Sequence, residues 1–495
     1  MLSSRPDSLN DQRGTSMNPA EDTAAESDSS LAALEEAGHK ALELFLELHR
    51  TNAERPVFPG SGPAVLGELF DGSLGEEGIG LPAALGEFGD RVLPHATTIA
   101  HPLYLGLINC SPLPAAALAD LLVSTLNNNA GALQQGPAAW AAERELVRAF
   151  SELTYGAPAS GMLLPGGTYA NLQALLLARA RHFPEWARSG PGAAGRPRLY
   201  VGASSHFSVA RSAAILGLGE RDVVPIPGLG RGSMDAAALA EQVRADRREG
   251  RSPFAVVGTA GTTGTGAIDS LGELAAVCAE HGLWFHVDAC YGGAALLLDE
   301  LRPRFEGLER ADSIALDPHK WFFCPLTASL LLARDPELEL ATFDVGASYI
   351  PSEEGVVDAW RRGIPTSRRA TSLTVWTTLR AHGWNTVRAA VRRNVALARR
   401  VEELFAARGF EVLPGGELSI ACARWRPEGW DEERTDALQV SLAAAVVRSG
   451  RAWLGTVRHG DRTWLCLRIV NLHTREAHLE SLVDLLERGA RELAA

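Results

Sequence analysis

The chain has 495 residues, 46% of them hydrophobic and 22% charged, the balance of an ordinary folded protein rather than a collagenous or disordered one. That length corresponds to roughly two to four domains, enough to bury a large core and to enclose a cleft. A formal net charge of −13 argues against nucleic acid and acidic membranes as partners, because both demand clustered Lys and Arg, and favours a small molecule.

Met1–Ser30 is rich in Ser, Asp, Glu and Asn and poor in large apolar side chains, so an unstructured tail is expected there. It lacks the basic-then-apolar pattern of a secretory signal, and no apolar run approaches the ~20 residues needed to cross a bilayer, so a cytoplasmic location is expected. Leu31, Leu34, Ala37, Ala41, Leu44, Phe45 and Leu48 recur at three- and four-residue steps. This spacing predicts an amphipathic helix over Leu31–Arg50 whose apolar face needs a partner surface. Between about Gly161 and Ala333, short apolar runs alternate with helical stretches: Met162–Leu164, Leu199–Val201, Val223–Ile226, Phe254–Gly258, Trp284–Val287, Ser313–Leu316 and Ala328–Leu332. That alternation predicts an α/β domain with a largely parallel sheet. After Ser367 come helical patterns, candidate strands at Leu418–Trp425 and Thr463–Val470, and a final helix near Arg475–Leu493. A smaller α+β domain is expected there. The resulting division is a helical segment over 31–115, a large domain over 116–375 and a small one over 376–495. The six cysteines show no CxxC or zinc-ligand spacing, so reduced, buried thiols are expected and no metal site.

Three segments carry chemistry. Trp284–Gly293 places an acid, Asp288, at the carboxyl end of an apolar strand and follows it with small residues, at the position where open α/β sheets bind ligands. Taken alone, Asp288 reads as a helix cap. Ala311–Trp321 runs along another apolar strand into Asp317, Pro318, His319 and Lys320. A lysine just past a buried strand end is costly without a task, although most lysines sit on surface loops. Leu163–Leu172 is a strand, the pair Gly166–Gly167 and a helix start at Thr168, a geometry that aims backbone N–H groups at an anion. By itself it is a plain turn.

In this order the HVDA segment with Asp288 and Ala289, the DPHKW run around Lys320 and the PGGTYAN turn resemble the group II pyridoxal-phosphate-dependent amino acid decarboxylases. That family includes aromatic amino acid, glutamate and diaminobutyrate decarboxylases, and the resemblance spans roughly Leu31–Leu486. It implies a fold-type I, aspartate aminotransferase-like architecture, pyridoxal 5'-phosphate as cofactor, and a homodimer with active sites at the interface. Lys320 is then the residue that holds the cofactor aldehyde, its ammonium pKa lowered by burial and by the cationic ring. Asp288 is the acid at the ring nitrogen, with Ala289 beside it. The phosphate falls to Gly166, Gly167, Thr168 and His319, while Asp317 stands where some relatives carry Asn. The resemblance also implies that His206 stacks on the ring, that Thr263 lies near its phenolic oxygen, and that Tyr349, on a mobile loop, protonates the substrate carbon after carbon dioxide leaves.

His101–Cys110 resembles the segment that lines the side-chain pocket, and glutamate-specific members place Asn and Gln where this chain has Gly106 and Leu107. An apolar wall of Leu105, Leu107 and Ile108 near His101 would leave a substrate carboxylate unpaired and accept a ring, so an aromatic amino acid is the expected substrate. Glutamate, aspartate or 2,4-diaminobutyrate remain alternatives, as do aldehyde formation and an inactive cofactor-binding homologue.

Overall fold

The computed structural model describes residues 30–190, 196–346 and 353–495. Two compact units are present, Met1–Arg55 with Pro59–Thr97, and Pro56–Phe58 with Thr98–Ala495. In the first, α1 (Leu31–Thr51) forms where the apolar spacing predicts it. Ser30 caps it, its Oγ accepting from the Ala33 N–H at 3.2 Å, while the rest of the expected tail lies outside the described residues. Ala37 is the buried residue of this helix; Leu31, Leu34 and Leu42 are exposed.

The second unit is built on a seven-stranded sheet, and every strand expected between Gly161 and Ala333 is in it. These are β1 (Ser160–Leu164), β2 (Pro197–Gly202), β3 (Val223–Ile226), β4 (Ser252–Thr259), β5 (Trp284–Asp288), β6 (Ser313–Leu316) and β7 (Ser329–Ala333). Their order is β1-β7-β6-β5-β4-β2-β3. β7 runs antiparallel to both neighbours and all other pairs are parallel. β5 and β6 are buried along their whole length, which is why they read as near-continuous apolar runs instead of alternating ones. The sheet brings the carboxyl ends of β1, β4, β5 and β6 to one edge, and from these ends leave the Gly166–Gly167 turn, the Gly261–Gly264 loop, Asp288 and Asp317–Lys320.

α2 (Pro114–Leu126) precedes this sheet, and α3 (Gly167–His182) starts at the end of β1. α4 (Thr371–Ala407) follows the sheet, its helical backbone interrupted at Gly383, where φ is +72°. It leads to a second, four-stranded antiparallel sheet in the order β8 (Glu411–Val412), β9 (Ile420–Arg424), β11 (Arg462–Arg468), β10 (Gly455–His459). α5 (Glu432–Arg448) and α6 (Glu476–Ala494) cover it, and Val401, Leu442, Leu467 and Leu482 fill the core between. All six cysteines are free and buried, and among the described residues no helix is long and apolar enough to cross a membrane.

Candidate active site

A cavity of about 270 Å³ opens at the shared strand edge. Five chain segments meet around it, those that follow β1, β2, β4, β5 and β6, and local chemistry holds them. At the start of α3 Gly166 adopts φ +123°, a conformation side-chain-bearing residues rarely reach. At Gly167 a Cβ would lie 2.9 Å from both Asp317 Oδ2 and Cys290 Sγ, so the glycine keeps open the space before the helix N-terminus, where unpaired N–H groups favour an anion. The Lys320 turn is clamped by backbone bonds from Lys320 N to Asp317 O (2.9 Å) and Cys324 N to Pro318 O (3.0 Å). Trp321, Phe322 and Phe323 anchor it in the core. Arg468 of β11 donates through Nε to Thr263 O at 2.8 Å and fixes the Gly261–Gly264 loop.

Two carboxylates flank the lysine. Asp317 Oδ2 lies 2.9 Å from Lys320 Nζ, and Asp317 Oδ1 accepts from Ser329 Oγ at 2.5 Å. Burial disfavours the Lys320 charge, but Asp317 and Asp288 more than offset it and hold the ammonium above the usual lysine range. In the protein alone the carboxylates thus outweigh burial; the lowering expected from the sequence includes the cationic cofactor ring. Burial likewise opposes ionisation of Asp288, yet Lys320, together with hydrogen bonds from Asn171 Nδ2 (2.9 Å) and Cys290 N (3.1 Å), leaves its pKa below the ordinary aspartate value. His206 and His319 are pushed down by burial, towards the neutral imidazole.

The cavity is lined by Gly166, Gly167, Thr168, His206, Thr263, Asp288, Asp317, His319 and Lys320, so nine of the ten expected cofactor residues converge. The tenth, Ala289, is wholly buried in the core beneath it. The expected substrate wall does not converge. Leu105 is in the small-sheet core, Ile108 is in the main core, Leu107 is 48% exposed, and neither these nor His101 line the cavity. Gly106 is explained by packing, because a Cβ there would sit 2.6 Å from Trp453 Cδ1. Tyr349 lies outside the described residues.

Residues 63–424 match the model of the pyridoxal-dependent decarboxylase conserved domain. The chain belongs to the pyridoxal-dependent decarboxylase family. It is 33% identical over 462 residues to an L-2,4-diaminobutyrate decarboxylase of Rhizobium meliloti, covering 92% of this chain and 91% of that one. It is 28% identical over 468 residues to an aromatic-L-amino-acid decarboxylase of Bacillus atrophaeus, covering 93% and 96%. Among solved structures it resembles Oryza sativa TDC with PLP and tryptamine, at 25% identity and TM-score 0.89, covering 94% of this chain and 99% of that one. The enzyme is thus a carboxy-lyase of the fold-type I class, and pyridoxal phosphate is its cofactor.

The decarboxylase cavity fits that group. The cofactor needs an amine for its aldehyde, a donor-rich cradle for its phosphate and an acid for its ring nitrogen. Lys320, the glycine-lined start of α3 and the ionised Asp288 offer these in one space. Residues unassigned by the sequence also belong to this site. Asn171 and Ser208 line the cavity, and His286, wholly buried, lies behind Asp288. Asn171 and His286 stand inside the two motifs, and the available signal was their polarity within otherwise apolar elements.

Proposed function

We propose that this decarboxylase acts on L-2,4-diaminobutyrate, releasing carbon dioxide and the diamine. The observation that carries this reading is the 33% identity over 92% of the chain to a diaminobutyrate decarboxylase. The aromatic reading rests on Leu105, Leu107 and Ile108; Leu105 and Ile108 are core residues, Leu107 is half-exposed, and none of the three lines the cavity.

When bound, pyridoxal phosphate supplies an aldehyde for the substrate amine and a cationic ring that takes up the electron pair left by carbon dioxide. Around it the chain's residues divide the work. Lys320 would hold the cofactor through its side-chain amine, the position the substrate amine would take over. Gly166, Gly167, Thr168 and His319 bind the phosphate, and Asp317 balances the Lys320 charge. Asp288 keeps the ring nitrogen protonated, a preorganised charge facing the charge that develops in the reaction. His206 and Thr263 line the same cavity, where His206 would cover the ring face and Thr263 would lie by its phenolic oxygen. Tyr349 delivers a proton to the substrate carbon.

The test is carbon dioxide release from a panel of 2,4-diaminobutyrate, glutamate, aspartate, cysteine sulfinate, tryptophan and tyrosine. The expected result is a kcat/KM for diaminobutyrate at least about tenfold above the others, a gap of about 1.4 kcal/mol in transition-state binding. Preference for tryptophan or tyrosine would overturn it.

A further inference from the structure

His286 and Asp288 stand two residues apart on β5 and therefore on the same face of the sheet. Asn171, on the first turns of α3, reaches both. Its Nδ2 lies 2.9 Å from Asp288 Oδ2 and 3.0 Å from Ser208 Oγ, and its Oδ1 lies 3.0 Å from His286 Nε2. Asn171, Ser208 and His286 are all at most 1% exposed. With water excluded, the hydrogen-bond directions are set by which atoms can donate.

The ionised Asp288 only accepts, so the Asn171 amide nitrogen must face it, and Oδ1 must turn to His286. His286 then carries its proton on Nε2. Its Nδ1 lies 2.9 Å from Ser313 Oγ, from which it accepts, and 3.2 Å from the Ser313 carbonyl oxygen, the longer contact, which only a protonated Nδ1 could use; Ser313 Oγ in turn accepts from Trp284 Nε1 at 3.0 Å. The second Asn171 amide hydrogen points to Ser208 Oγ, leaving that hydroxyl's own hydrogen for His206 Nδ1, 2.8 Å away. The Ser208 backbone N–H approaches the same nitrogen at 3.2 Å and can only donate. His206 Nδ1 is thus an acceptor, and the His206 proton sits on Nε2.

We propose that Asn171 is a positioning residue that sets the proton arrangement of the cofactor pocket. One amide hydrogen holds Asp288 as an oriented, ionised acceptor for the ring nitrogen. The other, through Ser208, locks His206 as the Nε2–H tautomer over the ring. His286 supports the orientation that Asp288 demands: its Nε2–H satisfies the amide oxygen, which without that donor is left buried and unpaired and loosens the amide's hold on the carboxylate. Hydrogen bonds to a carboxylate stabilise its charge and lower its basicity, so the chain from Trp284 to Asp288 keeps the shared proton on the ring nitrogen. The inference rests on the cofactor and not on the choice of substrate.

The test uses full-length protein loaded with ring-15N-labelled pyridoxal phosphate and with 15N-labelled histidine, observed without substrate. The His206 signals are assigned from a His206→Gln sample. In the parent, the ring nitrogen should resonate as the protonated form and His206 should show a single Nε2–H tautomer. Asn171→Leu, similar in size but without donors, should move the ring-nitrogen signal towards the neutral form and mix the His206 tautomers. It should also raise the cofactor dissociation constant about tenfold or more. His286→Gln keeps a donor where Nε2 stands and should retain the parent ring-nitrogen signal, whereas His286→Leu should shift it as Asn171→Leu does. That second pair decides the matter if Asn171→Leu does not fold. A ring nitrogen that stays fully protonated with an unchanged His206 in Asn171→Leu, or identical signals in the two His286 variants, overturns the proposal. Because no substrate is present, an error in the substrate assignment leaves these signals unaffected.

Discussion

The buried imidazole of His286, two residues from Asp288, leaves a mark on stability. Burial lowers His286 to about 4, with Asp288 and the Ser313 backbone opposing that shift only in part. The unfolded chain carries a histidine near the ordinary value of about 6.5, so between that pH and about 4 the unfolded state binds more protons than the folded one. Stability is therefore fully present above about 6.5 and falls as the solution is acidified through this window, by on the order of 3 kcal/mol from His286 alone. Burial of His206 and His319 lowers their pKa values too and adds slope of the same sign. In urea unfolding from pH 6.5 to 4, His286→Gln should therefore show a shallower loss than the parent. Equal slopes would mean that His286 is not held neutral. That Lys320 and Asp288 share the cavity was legible in the sequence because Asp288 ends a short apolar strand and Lys320 lies just past the end of another, each within its own motif. The Asn171–His286 bond was not, since it joins positions 115 residues apart and depends on how α3 docks on β5. The apolar character of Leu105 and Ile108 has a packing cause, since both fill cores, and a linear segment does not say which neighbour a leucine meets.

At the level of elements, the seven strands of the large sheet were legible because a parallel sheet buried on both faces demands continuous apolar runs. Two strands of the small sheet were not. β8 has two residues, and β10 is an edge strand, Gly455–His459, half-buried and carrying Arg458 and His459, so neither shows an apolar period. The segment after β6 shows how an element and the chemistry share residues. Lys320 is held in place largely by the aromatic run that follows it. Trp321 is fully buried, stacks on Tyr291 at 5.1 Å between ring centroids, and donates from Nε1 to Asn394 Oδ1 at 3.0 Å. Trp321→Ala removes that packing and leaves the Asn394 oxygen unpaired, which should cost about 3–5 kcal/mol of stability. The loosened turn should also lower the fraction of protein that retains cofactor after borohydride reduction and denaturation. A variant that melts within a degree or two of the parent, with full retention, would show that the turn is fixed by its backbone bonds alone.

For the whole molecule, the informative surfaces are apolar ones. On α2, Leu118, Leu121, Leu122 and Leu126 are 49–64% exposed, and α1 leaves Leu31 and Leu34 in solvent. Apolar side chains clustered along one helix are costly in water and are the kind of surface a second copy covers. We propose that the active form is a homodimer and that Tyr349 serves the cavity of the partner subunit. Sedimentation should give twice the chain mass, and Leu121→Glu with Leu122→Glu should reduce it to the monomer. Complementation tests the exchange of Tyr349. On this proposal Lys320→Ala should abolish cofactor attachment and Tyr349→Phe should remove the proton donor, so each variant alone should make almost no amine. Co-expressed, they form mixed dimers in about half of the population. In those, one cavity combines an intact Lys320 with an intact Tyr349 from the other chain, so amine formation should return to about a quarter of the parent rate. If Tyr349 serves its own chain's cavity, every cavity in the mixture carries one defect, and co-expression should recover nothing.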